Sequence, residues 1–150
     1  GNFDPQLLRS LLDVRRTFEL ETARLAARQR TAEHLTEFAD IIALEASIDV
    51  ADTDALAELD FRFHHLIAIA SGNMIYPLLL NSFKQVYTNL TGRFFAMPGV
   101  TDTVFALHGR IVKAVRARSA KKAVDLMTGL LAHGEQQIRL LETAKVGRKP

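Results

Sequence analysis

Apolar residues recur along most of the chain at the spacing of one helix face, and almost nowhere do they alternate as in a half-buried strand. Asp4-Pro5 supplies an N-cap followed by proline at the first helical position. Leu8, Leu11, Leu12 and Val14, then Phe18, Ala23, Leu25 and Ala26, carry a first helix to about Arg28, with Asp13 as a candidate break. Thr31 can cap a second helix that buries Leu35, Phe38, Ile41, Ile42 and Leu44 and fades at Asp49. Asp52 or Thr53 can cap a third, with Leu56, Leu59, Phe63, Ile67 and Ala70 inward. Ser71-Gly72-Asn73 joins a helix stop to a new start, so a long fourth helix is expected over 74–95, tolerating Pro77 in its first turn. Met97-Pro98-Gly99 is the clear break before two more helices over 101–117 and 119–144.

Six helices joined by short loops imply an all-α, antiparallel bundle forming one domain over 1–150, with 1–3 and 146–150 as tails. The length of 150 residues and a hydrophobic share of 48% are enough for one sizeable core. No apolar run approaches the ~20 residues needed to span a bilayer, and no secretory signal opens the chain. A soluble, cytoplasmic protein is therefore expected, with no membrane partner.

The net charge of +2 hides an uneven distribution. Positions 33–60 hold nine acidic residues and no Lys or Arg, whereas Arg110, Lys113, Arg116, Arg118, Lys121 and Lys122 have no acid among them. That basic run can face phosphate or an acidic neighbour. Its helical spacing between apolar residues reads better as a solvated helix face. The absence of cysteine excludes disulfides, thiolate metal sites and a cysteine nucleophile, so any metal must be held by His, Asp or Glu.

In the third helix Asp60 and His64 are four apart and share a face with Leu56, Phe63 and Ile67. A carboxylate there is anomalous, because burying it unpaired costs several kcal/mol. The pair is compatible with a simple intrahelical hydrogen bond at the rim of the core. His108 changes the weighting, since it falls within the apolar stripe Val104, Phe105, Ile111, Val112 and Val115 of the fifth helix. Two inward histidines and an inward aspartate form an N2O set suited to zinc, nickel, manganese or iron. His133 is an ambiguous fourth member, about 60° round the last helix from Leu130 in the inward series Ala123, Met127, Leu130, Gly134 and Leu141. His65 points away from the Asp60 face, and His34 sits in an acidic first turn; both read as surface or packing residues.

These residues carry a family resemblance. Asp60-Phe61-Arg62-Phe63-His64, then Ala70-Ser71-Gly72-Asn73, then His108 with Ile111 and Ala114-Val115, resemble the D-x-x-F-H, A-S-x-N and H-x-x-I-x-x-A-I pattern of the effector-binding C-terminal (FCD-type) domain of FadR-like GntR transcription regulators. Val14-Arg15, Glu19, Ala23 and Leu25-Ala26-Ala27 are similar to that family's first helix. The resemblance covers roughly 13–142. It implies a bundle with an internal ligand cavity, which forms a homodimer and senses a small molecule. In metal-binding members a divalent ion sits on one Asp and three His, and a small carboxylate effector completes its coordination.

Carried over, Asp60, His64 and His108 match three metal ligands. Leu130 occupies the position of the fourth, with His133 one turn further on. Arg15 matches an arginine expected to face the cavity and pair with an effector carboxylate. The family also carries an N-terminal winged helix-turn-helix that reads DNA, and nothing before Pro5 can form it, so DNA is expected as a partner only through that missing domain. The leading expectation is a ligand-sensing, dimerising regulator domain with no enzymatic activity, using zinc, nickel or manganese. The alternative is a mononuclear non-haem metalloenzyme on the two-His-one-Asp set, for which the sequence offers no convincing general base.

Overall fold

Helix α3 (Thr53–Ala70) is the axis around which the others assemble, since it packs against α1 (Pro5–Gln29), α2 (Ala32–Ser47), α4 (Ile75–Ser82) and α5 (Lys84–Phe95). The remaining helices are α6 (Val100–Arg116) and α7 (Ala120–Val146). This computed structural model describes residues 4–147, and among these there are seven helices and no strand. The tail segments 1–3 and 148–150 lie outside the described residues, while α7 runs into the start of the other expected tail.

The helix starts follow the sequence chemistry. Asp4 accepts a hydrogen bond from the Gln6 N–H ahead of Pro5, and Asp52 accepts one from Ala55. Thr31 and His34 form a reciprocal capping box, which gives His34 a structural role at the helix end. Gly99 enters α6 at φ +78°, a left-handed backbone that favours glycine.

Two expectations change. Asp13 does not break α1, because it is exposed and the backbone runs through it as one 25-residue helix. The long fourth helix is instead two, divided at Phe83. There the Ser82 hydroxyl donates to the Leu79 carbonyl and the Phe83 N–H bonds back only three residues, to Leu80. Such local bonds tighten and bend a helix. The bend brings Leu80 and Tyr87 together on Phe61.

Helices α1 and α7 are antiparallel: Leu8 clusters with Ile138, and Arg16 donates to Glu135, so one chain descends as the other rises. At the far end Arg118 adopts φ +57° and donates to the carbonyls of Arg28 and Arg30, while Arg30 donates to Arg116. The C-terminal carbonyls of α1 and α6 are thus capped by each other's arginines. All six side chains of the basic run are exposed, as a solvated face requires. The main core is apolar and formed by every helix except α4, with Phe38, Phe63, Ile67, Ile111 and Met127 at its centre. Into this core are set Glu19, Glu45, Asp60, His64 and His108, all buried.

Candidate functional site

Asp60 and His64 lie one turn apart on α3, and His108 reaches them from α6. All three are buried, and their ligating atoms lie within 4.8 Å of one another. Asp60 Oδ1 is 3.7 Å from His64 Nε2 and 3.3 Å from His108 Nε2. Each of the three has a second buried or half-buried partner that fixes its orientation. Tyr87 of α5 donates to Asp60 Oδ2 at 2.7 Å, which leaves Oδ1 to face both imidazoles. Glu45 of α2 lies against His108 Nδ1 at 3.0 and 3.1 Å through its two oxygens. Glu19 of α1 sets Oε1 against His64 Nδ1. In a neutral ring, a carboxylate behind Nδ1 selects the tautomer with its proton there and leaves the Nε2 lone pair free to bind a cation, the arrangement that orients metal-bound histidines.

The far oxygen of Glu19 accepts from Arg15 Nε, and Arg15 Nη2 donates to the Tyr87 hydroxyl at 2.9 Å. The guanidinium also stands over the Tyr87 ring, 4.6 Å from its centre. Phe63 stacks on His108 with ring centres 3.8 Å apart and keeps the site dry on that side.

The electrostatics follow from this crowding. Burial alone would depress His108, but the Asp60 and Glu45 carboxylates outweigh it and carry the group up to about 9. Burial pushes Asp60 up, yet His64, His108 and Arg15 together hold it well below the usual carboxylate range. Glu19, against Arg15 and His64, is likewise lowered in spite of its burial. Glu45 is raised, because burial exceeds what His108 returns. Burial also drives the Tyr87 phenol well above its ordinary range, so it remains a hydrogen-bond donor.

The fit to a divalent ion can be judged from the side chains themselves. Glu19, Glu45 and Asp60 surround one guanidinium, and without an ion the protonated His108 ring supplies part of the positive charge they call for. His108 Nε2 is buried and makes no hydrogen bond of good geometry. A doubly positive ion on Asp60 Oδ1, His64 Nε2 and His108 Nε2 would answer both facts, and the N2O donor set suits zinc, nickel or manganese. The cavity beside the cluster holds about 30 Å³ and is lined by Arg15, Asp60, His64, Thr91, Leu130 and Gly134 among others. That is room for about two water-sized groups.

Of the residues singled out from sequence, Asp60, His64, His108 and Arg15 are brought together. His133 is not part of the group: it is half-buried against Phe94, with ring centres 5.6 Å apart, and Leu130 lines the cavity instead. The register of α7, which buries Ala123, Met127 and Leu130 in one line, turns His133 to the side. His65 stacks on Phe61 away from the site. Sequence reasoning assigned no role to Glu19, Glu45 or Tyr87. The signal existed: Glu45 follows Phe38 and Ile41 on one buried stripe, and Glu19 shares its stripe with Ala23 and Ala26, the same anomaly that marked Asp60.

The FCD domain family model matches residues 10–133. The fatty acid metabolism regulator protein of Edwardsiella ictaluri is 30% identical over 138 residues, covering 88% of this chain and 56% of that protein. The protein of the same name from Escherichia coli K12/DH10B is 40% identical over 108 residues, covering 71% of this chain and 43% of that one. The chain thus spans about half the length of the curated relatives it matches. Among solved structures, a GntR protein of Streptococcus agalactiae superposes with a TM-score of 0.69 at 23% identity, over 89% of this chain and 58% of that one, a likeness of fold. With the family model matched along most of its length, the chain belongs to the FCD domain family.

Proposed function

We propose that this chain is the ligand-sensing and dimerising domain of a transcription regulator, which binds a divalent metal ion and through it a small carboxylate effector. The observation that carries the metal is the convergence of three buried donor atoms, with a buried carboxylate behind each of the two imidazoles. The regulatory role draws on the family and on relatives named as regulators, which also speak for a binding rather than an enzymatic protein. Asp60, His64 and His108 hold the ion. Once bound, the ion supplies an open Lewis-acidic position for one carboxylate oxygen. Arg15, at the wall of the same cavity, pairs with the other oxygen. A cavity this small favours a carboxylate of few atoms.

In the full regulator the domain acts as a homodimer in the cytoplasm, and DNA is contacted by a separate domain. Effector binding then changes operator affinity by a coupling free energy, typically about 1–3 kcal/mol. The test is thermal unfolding at pH 7.5 with zinc, nickel or manganese, followed by chelation. A rise in Tm that chelation reverses is expected; no shift with any of the three contradicts the metal reading.

A further inference from the structure

Arg15 and His64, the proposed effector cation and a proposed metal ligand, do not touch, yet a single buried side chain contacts both. Glu19 presents Oε1 to His64 Nδ1 and Oε2 to Arg15 Nε. It is 2% exposed, so water cannot substitute for either contact. Glu45, by contrast, serves His108 alone.

We infer that Glu19 is a positioning residue shared by metal and effector, and that it couples the two binding events. The inference rests on the metal-and-carboxylate reading above. Its physical basis is that one carboxylate divides its charge between two partners. When an incoming carboxylate engages Arg15, the guanidinium gives less to Glu19, and Glu19 accepts the His64 Nδ1 proton more strongly. The His64 Nε2 lone pair becomes a better donor, so the effector tightens the metal and, by reciprocity, the metal tightens the effector. The guanidinium has donors for both tasks: Nε and Nη2 are used by Glu19 and Tyr87, and Nη1 makes no hydrogen bond among the described residues.

The experiment is calorimetric titration of zinc into wild type, Glu19→Gln, Glu19→Asp and Glu45→Gln, each with and without saturating acetate as the small carboxylate probe. Both Gln variants should bind zinc about 10–100-fold more weakly. In wild type and Glu45→Gln acetate should tighten zinc by the same factor. In Glu19→Gln that factor should fall about tenfold, the effect of losing one charge-assisted hydrogen bond. Glu19→Asp, which keeps the charge, should recover part of it. An acetate effect of wild-type size in Glu19→Gln, or an equal loss in Glu45→Gln, would overturn the inference.

Ring nitrogen-15 spectra of the zinc-loaded wild type need no variant. Acetate should move His64 Nδ1 more than His108 Nδ1; equal shifts would also overturn the coupling. Zinc binding without any acetate effect rejects Glu19 coupling and leaves the metal site standing, whereas no zinc binding rejects the metal reading itself.

Discussion

The histidines of this bundle occupy two kinds of place. Between α1, α2, α3 and α6, His64 and His108 each have a buried carboxylate at Nδ1 and turn Nε2 toward Asp60. On the flanks, His65 and His133 rest against Phe61 and Phe94, and each keeps one buried ring nitrogen without a hydrogen bond. Burial lowers the affinity of both flank histidines for a proton, and for His65 the nearby Lys84 adds to it. Burial and an unpaired ring nitrogen occur in both sets, so neither separates them. The carboxylate behind the ring does, because it fixes the tautomer and supplies charge that a cation could answer.

The largest effect that separates the two regions should come from packing. Phe63 is fully buried and stacked on His108, so Phe63→Ala should cost ~3–5 kcal/mol in denaturant unfolding. Phe94, the neighbour of His133 at 9% exposure, should cost less, and a reversed order would break the comparison. Next, His64→Ala should abolish stabilisation by zinc, which in wild type amounts to about 2.7 kcal/mol when the free ion is a hundredfold above Kd. Leu130→His, which adds an imidazole to the cavity wall, should tighten zinc by about tenfold or more. A weaker site in that variant would show that α7 stands too far from the ion.

A pH titration gives the next effect. His108 is raised from the usual 6.5 to about 9, so in metal-free protein its contribution is complete below 6.5 and disappears as pH rises through 9. Stability should fall across that window, by at most about 1.4 kcal/mol per pH unit for one proton. With zinc bound the slope should reverse in the histidine range, because protons then compete with the ion. A flat metal-free profile from pH 6.5 to 9, followed by urea unfolding, would count against the His108 environment described above. The smallest change is expected from His133→Ala, which should leave zinc affinity within error of wild type.

Much of this was legible in the residues. Helical period, the caps at Asp4, Thr31 and Asp52, and the break at Met97-Pro98-Gly99 were local signals that tertiary packing did not override. The division at Phe83 was not legible, since it depends on a serine hydroxyl turning back on its own helix. Asp60, His64 and His108 stood out as polar groups on apolar stripes. Glu19 and Glu45 sat on such stripes too, but helical spacing cannot say which helix a side chain will face. Their pairing with His64 and His108 joins residues 45 and 63 positions apart, and only the folded bundle reveals it.

The most direct test is diffraction from crystals grown with zinc and measured at the zinc absorption edge. One anomalous peak per chain is expected, about 2.0–2.2 Å from Asp60 Oδ1, His64 Nε2 and His108 Nε2. Glu19 and Glu45 should still stand behind the two rings, and His133 should remain outside the coordination sphere. A peak on other residues, coordination through Nδ1, or no peak at this cluster would contradict the account.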